Sequence, residues 1–159
     1  MADSTQSIKP LIGRIFMSLV FLVSGSFKII GYSQVVSMSA TKGVPLAGIA
    51  IAWAAALEIL GALAMFAGFQ VRVVAWLWIL YLIPVTLLFH NFWKMQGMEQ
   101  QENFGHFLSN LGLMGGLLFV STFGAGAYSV DAARAKKLES HICSGPGLPG
   151  PGQLLKEDL

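Results

Sequence analysis

The sequence predicts an all-α membrane protein, a four-helix transmembrane bundle with both termini on the cytoplasmic side. Three observations lead there. First, hydrophobic residues make up 55% of the 159-residue chain and charged residues only 11%, where soluble domains carry roughly 25% charged residues. A chain this short leaves much of its surface facing solvent, so a mean hydropathy of +0.66 cannot be hidden in one water-exposed globule. Second, the charges cluster. There are none between Glu102 and Asp131 or between Arg72 and Lys94, and between Lys42 and Arg72 only Glu58 breaks the run. Such stretches match the hydrocarbon core, which takes about 20 apolar residues per helix. Third, the stretches lack the alternating polarity of barrel strands, and a lipid-embedded backbone must then bond within its own segment as a helix.

The elements follow in order. Residues 1–10 read as a cytoplasmic N-terminal segment. The transmembrane domain, 11–130, holds spans at about 11–30, 46–69, 71–89 and 107–127. The first is expected to stay as a helix and not to be cleaved as a leader. Arg14 interrupts it, and apolar sequence continues through Ile29 and Ile30 past Ser24-Gly25-Ser26. Gly43 and Pro45 supply turn chemistry before the second span, and Gly68 does so near its end. That span is studded with Ala52, Ala56, Gly61, Ala64 and Gly68, and the fourth carries Gly112-x-x-x-Gly116. Small residues at this spacing let helix backbones approach closely. Trp93 fits an interfacial belt position, and Pro84 is expected to kink the third span. Residues 91–105 are polar. From Asp131 the chain turns charged, then Gly/Pro-rich over 144–152, so 131–159 reads as a flexible cytoplasmic tail.

Orientation follows from Lys and Arg near the span ends. Lys9, Arg14, Arg72, Arg134, Lys136 and Lys137 fall on the side of the termini, and Lys28, Lys42 and Lys94 on the other. Arg14 and Arg72 are therefore read as topology residues.

Function is sought where polar groups sit in the membrane against a cost of about 2.5 to well over 10 kcal/mol for a central charge. Glu58, near the middle of the second span, is the sharpest outlier. It must be protonated, paired inside the bundle, or lining water. Two readings stand side by side: a proton-carrying or ligand-binding carboxyl, and a hydrogen bond that fixes packing. Tyr81 lies at nearly the same level on the third span. Lys28, toward the outer end of the first span, and Arg14, toward its inner end, are alternative partners, with Arg14 expected to snorkel to the interface. A second polar cluster forms at the outer end from His90, His106 and Asn110, with Ser24 and Lys28 at about that depth. Two histidines beside Glu99 and Glu102 invite a metal, but the spacing matches no metal signature and none is expected. His90 reads as a partner to a bound head group or as a water-satisfied interfacial histidine; His106 reads as interfacial.

Several classes are excluded. A net charge of +2 without a Lys/Arg run gives no case for nucleic acid. The single Cys143 can form no intramolecular disulfide and cannot hold an iron–sulfur cluster. No paired-histidine arrangement for haem lies within the spans, and phosphate-loop and zinc-protease motifs are absent.

Arg14 with Phe16-Met17-Ser18-Leu19-Val20-Phe21-Leu22, Gly25 and Lys28, then Gly43-Val44-Pro45, resembles the DoxX family. So do Glu58-Ile59-Leu60-Gly61 with Gly68 and Arg72, Phe89-His90-Asn91-Phe92-Trp93, and Asn110-Leu111 with Gly115-Gly116. The likeness covers about 11–128. It implies a multi-pass protein of the bacterial inner membrane, from a family named for a small membrane subunit of an archaeal thiosulfate:quinone oxidoreductase. The resemblance implies a membrane subunit near quinone chemistry and brings no established catalytic residues.

The leading expectation is therefore a membrane subunit of a quinone-linked oxidoreductase or oxidative-stress complex, in contact with quinone and not catalytic alone. It carries no covalently bound cofactor. Glu58, Tyr81, His90 and Asn110, with Lys28 nearby, are the ligand- or proton-binding candidates. Membrane lipids, quinone, oxidoreductase subunits and further copies of the chain are the expected partners. The alternative is a non-enzymatic scaffold that recruits partners. A small transporter is a weaker alternative, since inverted-repeat signals are lacking.

Overall fold

In the computed structural model, which describes residues 4–143, the described chain is helical throughout its regular structure. The elements are α1 (Ser4–Ile30), α2 (Tyr32–Thr41), α3 (Ala47–Ala67), α4 (Val71–Phe89), a 3₁₀ turn (Phe92–Lys94), α5 (Gly97–Phe123) and α6 (Val130–Cys143). Among the described residues four helical stretches are long and apolar enough to cross a membrane: Ile8–Ile30, Ala47–Ala67, Val71–Lys94 and Gly97–Phe123. The expected all-α four-span bundle is what forms.

α1 packs closely along α3, and α4 along α5, while α3 and α4 approach each other less closely. The α1–α3 seam closes at Gly25. A Cβ there would sit 2.8 Å from Ile59 Cγ1 and 3.1 Å from Glu58 Cβ, so only hydrogen fits. α1 meets α4 where Phe21 stacks on Trp78, ring centroids 3.6 Å apart and planes 13° apart. Trp78 is fully buried against Gly61, and its indole N–H donates to Leu57 O at 3.3 Å. Met65, Val71, Ala75 and Leu117 complete this core. The outward faces carry Phe16, Phe27, Trp53, Trp76, Phe119 and Phe123, all exposed, as lipid-facing helices require.

The sequence reading is corrected at four places, the first being residues 4–10, expected in a separate N-terminal segment and here the first turns of α1. The fourth span, expected at 107–127, is a helix that starts at Gly97 and ends at Phe123. Its first turns are polar and so give no hydropathy signal, yet they are held as helix, with Asn103 Nδ2 donating to Glu99 O at 2.9 Å. The connection between the first two spans contains α2, tied to α3 by the Tyr32 hydroxyl, which donates to Gly48 O at 2.8 Å. The flexible tail expected from Asp131 begins instead as α6. Asp131 accepts from Gln70 N–H at 2.9 Å and Val71 N–H at 3.3 Å, and its own N–H donates to Gly68 O at 3.0 Å. A carboxylate at a helix N-terminus satisfies donors that the helix leaves open, so Asp131 caps α4 and fixes the root of α6. Residues 144–159, the rest of that expected tail, lie outside the described residues.

α4 runs through Pro84 as one helix. Of the small residues, Gly61 and Gly68 are buried, whereas Ala52 and Ala56 are exposed. Gly116 lies under Met17, and a Cβ at Gly112 would meet only open space. The packing role expected of these residues thus holds for part of the set.

Candidate functional site

Glu58 lies midway along α3, its side chain only 3% exposed, and is paired. Lys28, from the last turn of α1, donates through Nζ to Glu58 Oε1 at 2.9 Å and Oε2 at 2.8 Å. The same ammonium donates to Ser24 Oγ at 2.8 Å, one turn back on α1. From α4 the Tyr81 hydroxyl donates to Glu58 Oε1 at 2.7 Å. Three helices therefore converge on one carboxylate. The ion pair and its hydrogen bonds offset the cost of placing these polar groups at this depth. Local sequence explains the convergence. Gly25 lets α1 touch α3 beside Glu58, and Lys28, three residues on, lies one turn above that contact with a stem long enough to reach back.

The alternative partner, Arg14, is at the opposite end of the bundle. It does not snorkel to the interface: it is 1% exposed. Its Nη1 donates to Met65 O at 3.3 Å and its Nη2 to Tyr128 O. The C-terminal end of α3 and the segment after α5 present carbonyls that need donors, and the guanidinium fork meets both. Gly68, at φ +72°, leaves the space the guanidinium fills. Arg14 is thus a staple of the bundle's end. Arg72 is exposed, donating to Thr122 O at 3.4 Å.

Beside the trio lies a cavity of about 1120 Å³. α3 and α4 form its walls through Ala50, Ala54, Leu57 and Ala64 on one side and Val74, Leu77, Tyr81 and Leu88 on the other. Phe21, Ser24 and Lys28 of α1 form its floor, and Val35 and Met38 of α2 lie at its α2 end. From Val74 to Leu88 it runs about 20 Å along the helix axis. Trp53, Leu60, Leu77 and Leu88 on the rim are exposed, so the cavity opens sideways, between helices, toward lipid. Pro84 is on the wall of this opening.

His90 and Asn110 line the same cavity nearer α2 and do not join the trio. His90 Nδ1 lies 3.2 Å from Asn103 Oδ1, and its ring is 5.0 Å from that of His106. His106 is exposed within α5, well past the helix start. Among the described residues no group of three or more His, Cys, Asp or Glu gathers as a metal site. Asn110 donates to Thr86 Oγ1 at 3.0 Å, linking α5 to α4. Thr86 and Asn103 are the site residues that sequence reasoning missed. Thr86 precedes His90 by one turn and is a polar residue on an apolar span, which was a usable signal. Asn103 fell in the polar stretch 91–105, outside the expected spans.

Four apolar helices whose buried charges, Arg14 and Glu58, are met by internal partners define a multi-pass integral membrane protein. The family model described as DoxX matches residues 9–91. The chain is 31% identical over 121 residues to Inner membrane protein YphA of Escherichia coli (strain K12), covering 76% of this chain and 86% of that one. It is also 31% identical over 132 residues to Inner membrane protein YqjF of the same organism, covering 83% and 96%. No solved structure matches the chain. The protein belongs to the DoxX family and is an integral protein of the inner membrane.

Proposed function

We propose that the protein is a quinone-contacting membrane subunit of a quinone-linked oxidoreductase or oxidative-stress complex, one that binds the ligand and leaves electron transfer to a partner. The observation that carries this reading is the lipid-facing cavity of about 1120 Å³ with the Lys28–Glu58–Tyr81 trio at mid-depth. Small-molecule sites are mostly apolar clefts of roughly 300–1,000 Å³ with a few placed polar groups. Its length suits a ring with a tail, and its sideways opening admits a molecule dissolved in the bilayer. A bound quinone would carry electrons and protons between the partner and the lipid pool. The Ser24 hydroxyl would orient its head beside Glu58 and Tyr81, and Phe21, Leu57 and Leu77 would exclude water from it.

Purification in mild detergent followed by mass spectrometry of extracted lipids tests this. Quinone is expected at a substantial fraction of one per chain, and at much less with Ala56→Trp, which fills the wall and leaves the trio intact. Absence of quinone from the unaltered protein, together with no stabilisation by an added short-chain quinone, overturns the proposal.

A second reading, the non-enzymatic scaffold, draws on α5. Its membrane stretch is 6% buried, against 39% for those of α3 and α4. That leaves Leu111, Leu118 and Phe119 for lipid or a partner helix. Cysteine crosslinking at Leu111 and Leu118 in native membranes separates the two: a specific crosslinked partner, with no bound quinone, favours the scaffold.

A further inference from the structure

We infer that the cavity selects a head group that donates hydrogen bonds, a phenol or hydroquinone hydroxyl on an apolar tail, over one that only accepts them, such as a quinone carbonyl. This rests on the reading of the cavity as the site of a lipid-soluble ring and adds which oxidation state it holds.

Hydrogens decide the match. An ammonium has three to give and a phenol one. Lys28 directs its own at Glu58 Oε1, Glu58 Oε2 and Ser24 Oγ, and Tyr81 gives its hydroxyl hydrogen to Glu58 Oε1. The donors of both side chains are thereby used inside the trio. Acceptor capacity is left over. Glu58 Oε1 takes two hydrogens, but Oε2 takes one, from Lys28, and keeps a lone pair; the Tyr81 oxygen also keeps its lone pairs. Ser24 accepts from Lys28 and retains its own hydroxyl hydrogen.

A ligand hydroxyl matches this inventory. It donates to Glu58 Oε2 and accepts from Ser24. A carbonyl oxygen can accept from Ser24 but has no hydrogen for Oε2 or the Tyr81 oxygen, so against those two it sets acceptor against acceptor. The same surplus recurs near α2. Asn103 gives its amide hydrogen to Glu99 O, which turns its Oδ1 toward His90 Nδ1 as acceptor. The hydrogen of the neutral His90 ring is then on Nδ1, leaving Nε2 as an acceptor on a cavity residue.

The test uses the full chain in lipid nanodiscs, titrated anaerobically with a short-chain benzoquinol, the matching benzoquinone and the quinol methylated on both oxygens, and read by calorimetry. One hydrogen bond to a charged acceptor corresponds to about tenfold or more in affinity. The quinol is therefore expected to bind at least about tenfold more tightly than either of the others, and Glu58→Gln, which offers a donor, to narrow the gap to about threefold or less. Should Glu58→Gln fail to fold, the comparison among the three ligands on the unaltered protein still decides. Equal binding of quinol and quinone, or tighter binding of quinone, overturns this inference and leaves the quinone reading standing. Equal binding of quinol and its dimethyl ether overturns it as well. Binding of none overturns both.

Discussion

The Lys28 ammonium crosses from α1 to hold both carboxylate oxygens of Glu58 on α3, at 2.9 and 2.8 Å, inside a membrane bundle. Removing one partner of a buried pair leaves an uncompensated charge and costs about 3–5 kcal/mol, whereas replacing both by apolar groups is often neutral. Lys28→Met should therefore destabilise by that amount in denaturant unfolding in detergent. Lys28→Met with Glu58→Leu should recover most of the loss. Simple additivity of the two single variants would show that the pair is not coupled.

Tyr81 supplies the second hydrogen bond to Glu58 Oε1, at 2.7 Å. A bond to a charged group is worth about 1.5–3 kcal/mol, so Tyr81→Phe should cost less than Lys28→Met. In a Glu58→Leu background the same substitution should cost close to nothing, because the hydroxyl has lost its acceptor. The same unfolding assay reads both. An equal loss in both backgrounds would mean that Tyr81 acts through packing alone.

Spans 46–69 and 71–89 were legible to within two residues of α3 and α4 because their hydropathy changes sharply at turns. Glu58 stood out for the same reason: a lone charge on an apolar helix is conspicuous at any resolution of depth. Its partner was not legible. Counting residues along the helices leaves Lys28 and Arg14 equivalent, and the tie is broken by Gly25, whose missing side chain brings α1 onto α3 one turn below Lys28. Arg14 was misread because a long cation near a span end has water within reach. Only the fold reveals that carbonyls 51 and 114 residues away meet it first. The polar start of α5 and the charged start of α6 carry no hydropathy signal. Both are fixed by tertiary hydrogen bonds, from His90 to Asn103 and from the α4 N-terminus to Asp131.

Gly25 offers a test in which two effects oppose each other. Helix propensity favours Gly→Ala by about 1 kcal/mol. Here the new Cβ would lie 2.8 Å from Ile59 Cγ1, an atom on a β-branched side chain that cannot swing aside freely, and 3.1 Å from Glu58 Cβ. Overpacking costs about 1–3 kcal/mol, so Gly25→Ala should be net destabilising in thermal unfolding. Adding Ile59→Ala should relieve the nearest clash, making Gly25→Ala far milder in that background. A stabilised Gly25→Ala would show that the α1–α3 seam has room for a methyl group.

Arg14 tests the staple at the other end. Arg14→Lys keeps the charge but loses the fork that reaches Met65 O and Tyr128 O together. A loss of about 2 kcal/mol or more is expected, with faster proteolysis between α5 and α6, at 124–129. Unchanged protection of that segment would show that Asp131 alone holds it.

The pairings also sharpen the orientation argument. Lys28 is bound to Glu58 and Arg14 is buried, so neither acts as a loop charge. What remains is Lys9, Arg72, Arg134, Lys136 and Lys137 at the end of the bundle that carries the termini, against Lys42 and Lys94 at the end that carries α2. Setting aside the internal pairs makes the bias steeper, and the positive-rich end should face the cytoplasm. A green fluorescent protein fused after the C-terminus should be fluorescent, and alkaline phosphatase joined after Lys94 should be active. Active phosphatase at the C-terminus would reverse the orientation. Replacing Arg134, Lys136 and Lys137 by Gln should produce a mixed population, because Lys9 and Arg72 then only balance Lys42 and Lys94.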